Sequence, residues 1–259
     1  AAVSIAFVTA SARAFVADSP FPLVTHRDIA TTGKVSFKTQ QDADSKVTAD
    51  GKAVDAETAN IGAAVAINVP KITNEAFVGL NDMLSSGGLE ATAAMRSGGG
   101  ADGKNKIETQ ATAGAGKGKV AIAGSLALTI ADVLTNAEVK SNAARGPPAD
   151  LHGHDLSLSA ASVTDSTVKA KAKDEGSGKV GIGAGAAINS VDDVTTATVD
   201  DGALIHGAAN VSVTSTSTDS VTTYAEAGTA GAAGSTLALT ADAAISLPTV
   251  TTRATIGTA

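Results

Sequence analysis

The chain has 259 residues, a formal net charge of −7 and no cysteine. The acidic balance argues against a nucleic-acid-binding surface, which needs clustered Lys and Arg. The lack of cysteine excludes disulfides and thiolate metal sites; it is compatible with the cytosol and also suits very long surface proteins that cross an envelope unfolded. Hydrophobic residues make up 43% of the chain but aromatics only 2%, so the interior has to be filled by Ala, Val, Ile and Leu, and no apolar run is long enough to span a membrane as a helix.

The first segment, Ala2 to Val8 followed by Ala10-Ser11-Ala12, has the apolar core and small-residue end of a signal peptide but lacks its basic start. It fits better as the first copy of a pattern, I/L-x8-A-x-V/I, which begins at Ile5, Ile67, Leu128, Ile188 and Ile245. The alanines of the pattern fall at 14, 76, 137, 197 and 254, at spacings of 62, 61, 60 and 57 residues. A nearly constant period over the whole length means stacked units that bury their apolar faces against one another.

Each complete unit continues with an alternating strand at Val35, Leu89, Leu156 and Val211, and a further strand at Val47, Ile107, Val168 and Val221. Length differences collect in the turn segments Ser97 to Gly103 and Arg145 to Pro148, where a stacked array tolerates them. Pro70 and Pro248 share one repeat position, with Asp132 and Asp192 beside it, and this stretch reads as a turn. Asp200-Asp201-Gly202 reads as another.

Alternating rather than helical periodicity gives an all-β fold, a parallel β-helix (β-solenoid) of about five repeats of roughly 60 residues. The approximate repeats are 1–60, 61–119, 120–179, 180–235 and 236–259 of one continuous segment that reads as part of a longer protein. Two coils of roughly 30 residues per repeat, preferred to one wide coil per repeat, give about ten coils or slightly fewer and a rod of roughly 40 to 50 Å. Between Val180 and Ile188 one face carries Val180, Ile182 and Ile188, and the other Gly181, Gly183, Gly185 and Ala187. A face so bare marks the close approach of another backbone, an opposing sheet being preferred to a neighbouring molecule.

The segments Ile61 to Val69, Gly178 to Gly183, Asp201 to Ile205 and Asn210 to Val213 resemble the strand repeats of giant bacterial surface proteins of the leukotoxin and filamentous-haemagglutinin-like adhesin family. The resemblance covers essentially the whole chain. It implies a β-helical stalk, export across an outer membrane, an extracellular or cell-surface location, and a role in adhesion or surface assembly. It carries over no catalytic residue.

Candidate sites are few. His152-Gly153-His154-Asp155 offers metal-ligand types in a short cluster, against the single His206-Gly207 of the next unit. Asp192-Asp193, Asp200-Asp201 and the loose echo Gly99-Gly100-Ala101-Asp102-Gly103 make calcium the cation to test, although the tandem nonapeptide of calcium β-rolls is absent. Val213 to Thr218 lacks the face-by-face repetition of a threonine ladder. Phe15 and Phe77 hold the same outward position of the repeat pattern, and a pair of outward rings points to an interface; a covering loop such as Phe21 to Val24 is the alternative. The expected function is a non-enzymatic stalk, fibre or surface layer that self-associates into a filament or sheet without a required cofactor. A segment binding host glycans or another bacterial surface protein is the second reading, and a polysaccharide-degrading β-helix enzyme a distant third.

Overall fold

The structure, a computed structural model, describes residues 1–18, 28–53, 57–79, 83–116, 118–141, 149–174, 180–229 and 237–258. Among them every regular element is a strand. The first units contribute β1 (Ala2–Phe15), β2 (Asp28–Ala30), β3 (Val35–Gln41), β4 (Ser45–Lys52), β5 (Ala59–Val78), β6 (Met83–Ser85), β7 (Leu89–Met95), β8 (Ser97–Gly98), β9 (Ala101–Asp102) and β10 (Asn105–Ala115). The later ones contribute β11 (Val120–Val139), β12 (Ala149–Asp174), β13 (Val180–Val199), β14 (Ile205–Thr229) and β15 (Leu237–Ile256).

Strands β1, β5, β11, β13 and β15 form one parallel sheet in that order, the A sheet. The second, the B sheet, runs β2-β6-β12-β10-β4, with β14 on β12 and β7 joining β3 to β12. The chain alternates between the sheets, which pack face to face. The glycine-rich insertion after Met95 folds as the small antiparallel hairpin β8-β9.

The repeat alanines fall into register, Ala14 on Ala76, Ala76 on Ala137, Ala137 on Ala197 and Ala197 on Ala254. In the B sheet Val35, Leu89, Leu156 and Val211 likewise pair in series. Strands that neighbour each other are thus one whole repeat apart in both sheets. This corrects the expectation of two coils per repeat, which would place sheet neighbours about half a repeat apart. The five A strands span only about 20 Å in the stacking direction, and each 20-residue strand reaches about 66 Å across it.

The second B-sheet alignment also needs correction. Val47 and Val168 both lie opposite Thr109, whereas Ile107 lies between Ser45 and Ser166, which in turn meets Val221. The slip is two residues, so every side chain keeps its face.

Pro70, Asp132, Asp192 and Pro248 lie inside 20-residue strands, not in turns. Proline removes one N–H from a ladder. The pairing of β5 with β11 stops after Asn68–Thr129 and resumes at Lys71–Asp132. The flanking Ile67, Val69 and Ile72 keep the backbone extended. The expected turn at Asp201-Gly202 is present, with Gly202 at φ 73°.

The interior is narrow because the side chains facing it are small. On β11 the buried positions include Ala121, Ala123 and Ala127, packed with Ala111, Ala113, Ala170 and Ala172 of the B sheet. The larger Leu89, Leu151, Leu156 and Leu158 fill a second core cluster. A polar layer crosses the middle: Ser45 Oγ donates to Asn68 Oδ1 at 2.7 Å, Thr109 and Thr129 hydroxyls meet at 2.6 Å, and Ser166 Oγ donates to Asn189 Oδ1 at 2.8 Å. Each pair satisfies groups that would otherwise be buried alone.

The sheets approach closely at Gly51 and Gly62, where a Cβ would fall within the envelope of the Ala63 and Gly114 carbonyl oxygens of the opposite sheet. A Gly62→Ala substitution is therefore expected to force the sheets apart and cost about 2 kcal/mol or more. Chemical denaturation checks this; an unchanged midpoint would mean that the sheets are not in contact there.

Candidate functional site

The outer face of the A sheet is where the chain departs most from an ordinary soluble surface. On β11 the inward positions are Ala, Ser, Thr and Val, and the outward ones include Ile122, Leu126, Leu128 and Ile130. The register stacks these into apolar rows across the strands. One row is Ile5, Ile67, Leu128, Ile188 and Ile245, and another is Ile61, Ile122, Ile182 and Leu239. Between them Ala63, Gly124, Ala184 and Ala241 form the floor of a cross-strand groove of about 460 Å³. Phe7 is 79% exposed, Ile61 64% and Leu247 56%. The patch ends at a polar row where Lys71 faces Asp132 at 3.5 Å, followed by Asp192.

The B sheet's outer face is the opposite in character. Lys46 and Lys106 flank Glu108 at 3.2 and 3.1 Å, Lys34 and Lys38 flank Glu90 at 2.5 and 2.7 Å, and Lys171 lies 3.7 Å from Glu226. Hydrogen bonds from Lys34 and Lys38 hold the Glu90 carboxyl down at about 2, and Lys106 with Lys46 lowers Glu108 in the same way. Such charged ladders belong in water.

Of the two phenylalanines expected at an interface, only Phe15 is open. Its ring is 44% exposed and stacks on Phe77, centroids 4.8 Å apart, while Phe77 is buried to 6%. Arg13 covers both rings at 5.5 and 5.8 Å and is held by Glu75, Nε to Oε2 at 2.6 Å; the Lys140 ammonium lies 4.4 Å from the Phe77 ring. The pair is an intramolecular ladder capped by cations, which corrects Phe77 as an exposed contact. The loop Phe21 to Val24 lies outside the described residues. The aliphatic face opposite Gly181, Gly183, Gly185 and Ala187 is legible in the sequence, and that face points outward in the A sheet.

The histidine cluster does not converge. His154 Nδ1 lies 3.1 Å from the Leu151 carbonyl, and Asp155 accepts from Asn210 Nδ2 at 2.8 Å. His152 instead bridges Ser85 and Asp150, with Nε2 2.8 Å from Ser85 Oγ and Nδ1 3.4 Å from Asp150 Oδ2. The order of groups is that of a serine–histidine–aspartate triad. Both His152 and Asp150 are open to water, however, and the same aspartate closes a turn by accepting from the His152 N–H at 2.9 Å. A solvated carboxylate holds an imidazole weakly, so the arrangement secures the bulge at His152-Gly153, both at positive φ.

The aspartate pairs also separate. Asp192 points out of the A sheet while Asp193, the next residue, points in and is fully buried. Asp193 accepts from Ser162, Thr164 and Thr195 hydroxyls at 3.0, 2.7 and 3.0 Å. Asp219 on β14 lies near it with its Oδ1 buried and without a hydrogen-bond partner; burial first and the Asp193 charge next push the Asp219 carboxyl up to about 6. Burial and the nearby Asp200 raise Glu138 to about 7. Asp201 accepts from the Thr258 N–H at 2.8 Å. Asp102, from the glycine-rich insertion, gathers with Asp42 and Asp44, their ligand atoms within 4.8 Å of one another. This trio is the arrangement among the described residues that most resembles a hard-cation site, and the neighbouring Lys104 ammonium, bound to Asp165 at 2.8 Å, already offsets part of its charge.

Comparison with protein-family models, with curated proteins and with solved structures returns no match to this chain.

Proposed function

We propose that this chain is a structural segment of a β-solenoid, one repeat per circuit, that serves as a stalk, fibre or surface-layer element outside a bacterial cell and self-associates there. The observation that carries the reading is the constant register of the A sheet, in which strands one repeat apart pair in parallel along almost their full length, with one break at Pro70 between β5 and β11. Main-chain ladders stacked in this way resist shear and bending without requiring any particular side chain to do chemistry. Beside β14 and β15 the core opens into a cavity of about 450 Å³ lined by Leu156, Val199, Ile205, Val211 and Ile256. These are the groups that a further circuit or another copy stacked on that end would cover.

Negative-stain electron microscopy with and without calcium tests the reading. Filaments or sheets of uniform width that form in both conditions are the expected result. Single particles that instead bind immobilised glycans would replace it with the adhesin reading. Release of reducing sugar ends from a polysaccharide would replace it with an enzyme. Assembly only with calcium would make the Asp42, Asp44 and Asp102 trio part of the mechanism.

A further inference from the structure

We infer that the outer face of the A sheet is a lateral interface on which a second copy of this chain packs face to face. The inference does not depend on stalk function or on end-to-end stacking; it rests on the face alone.

The size of the face fits. Five strands spaced by about 4.8 Å and some ten residues of apolar rows at about 3.3 Å each cover roughly 800 Å², which is one side of a standard stable protein interface. Ser190 is the one polar side chain among the described outward positions from Ala59, Val120, Val180 and Leu237 to the ends of the apolar rows at Val69, Ile130, Ser190 and Leu247. A contiguous apolar surface of this extent is rare on a soluble monomer. The other outer face of the same molecule, with its alternating Lys and Glu ladders, shows that nothing in this architecture requires it.

The relief of the face makes it complementary to itself. Take the row of Leu126, which includes Val65 and Ala186, as the line of a two-fold axis running along the stack. The Leu128 ridge and the Gly124 groove then lie about 6.6 Å to either side of it. Rotation about that axis sets the Leu128 ridge of one copy into the Gly124 groove of the other, and the reverse, while Leu126 meets its own equivalent. This is the reciprocal contact that a two-fold interface demands. The polar row of Lys71, Asp132 and Asp192 falls at the edge, where an interface is ordinarily wet.

The test uses sedimentation velocity and site-specific crosslinking on the whole chain. The unaltered protein is expected to be dimeric at micromolar concentration, and Leu128→Asp to weaken the dimer about 100-fold or more. As a check on folding, Gly124→Phe fills the groove from the outside, where an added Cβ meets no atom within 4 Å; it should leave the thermal midpoint intact and still weaken pairing. Because the chain has no cysteine, a single Leu126→Cys should crosslink to its own copy through a short bismaleimide, and Gln110→Cys, exposed on the B sheet, should not. A monomer at about 100 µM, crosslinking at Gln110→Cys but not at Leu126→Cys, or binding of the unaltered monomer to neutral phosphatidylcholine vesicles with loss of that binding in Leu128→Asp would each overturn the inference. The last would assign the face to a lipid surface. Filaments that form without Leu126→Cys crosslinking would retain the structural reading and reject this interface.

Discussion

Asp219→Asn is expected to raise the thermal midpoint at pH 8 by about 3 to 6 °C and to leave it nearly unchanged at pH 4.5. Asp219 sits near the fully buried Asp193, and its carboxyl is raised from the ordinary 3.8 to about 6 by burial first and by the Asp193 charge next. A folded-state value above the unfolded one means that the native protein prefers the protonated form. That contribution is complete below pH 4 and is lost as the pH rises through about 6. Asparagine keeps a donor toward Asp193 and an acceptor for the Ser217 hydroxyl, now 2.6 Å from Asp219 Oδ2, but cannot ionise. A rise of this size in a fully buried carboxyl corresponds to about 3 kcal/mol; Asp219 lies on the last B strand and is only partly buried, so about 1 to 2 kcal/mol is the expected effect. An equal change at both pH values, or a loss of stability at pH 8, would show that the two carboxylates do not share a proton.

The whole chain should follow the same sign across neutral pH. Glu138, raised to about 7 by burial and by Asp200, loses its contribution over a slightly higher range than Asp219. The opposite trend begins in acid, where Glu90, held down at about 2 by Lys34 and Lys38, and Glu108, lowered by Lys106 and Lys46, lose theirs as they protonate. Their carboxylates are stabilised by exposed lysines and contribute little each. Asp219 and Glu138 therefore set the slope, and the maximum of stability is expected at about pH 4 to 4.5.

Much of this was legible in the sequence. The spacing of Ala14, Ala76, Ala137, Ala197 and Ala254 predicts the register of the A sheet, because insertion-free repeats of strand-forming residues can stack only in step. The same holds for Val35, Leu89, Leu156 and Val211. The number of circuits was not legible, because a period of about 60 residues is the same whether a unit makes one wide circuit or two narrow ones. The mid-strand Pro70 misled for a related reason: proline marks a turn by propensity, but a long ladder tolerates the loss of one bond. Asp193 could have been separated from Asp192 by parity, since it shares a face with Gly185, Ala187 and Asn189. What obscured it was the reading of this stretch as a turn, in which strand parity carries no information.

The polarity of the faces leads to the second large effect, in which two adjacent residues respond in reverse order to their hydrophobicity. Ala127 is fully buried between the sheets, whereas Leu128 points out of the A sheet. Enlarging the alanine, Ala127→Leu, drives a branched side chain into a layer of Ala111, Ala113 and Ala170, with backbone on both sides and no cavity to receive it. A cost of about 3 kcal/mol or loss of the folded state is expected. Removing the larger neighbour, Leu128→Ala, should cost under about 1 kcal/mol in the monomer, since no core contact is lost. Urea denaturation at low protein concentration, where pairing between copies does not add to stability, measures both. If Leu128→Ala proved the more damaging, the aliphatic rows would face inward and the interface inferred from them would vanish. The observed order of small residues inside and large ones outside ties the thin core to the apolar exterior: a coil flattened enough to bring Gly62 against Gly114 leaves no interior space for the isoleucines and leucines of the A sheet, which therefore stand on the face that the inferred interface would cover.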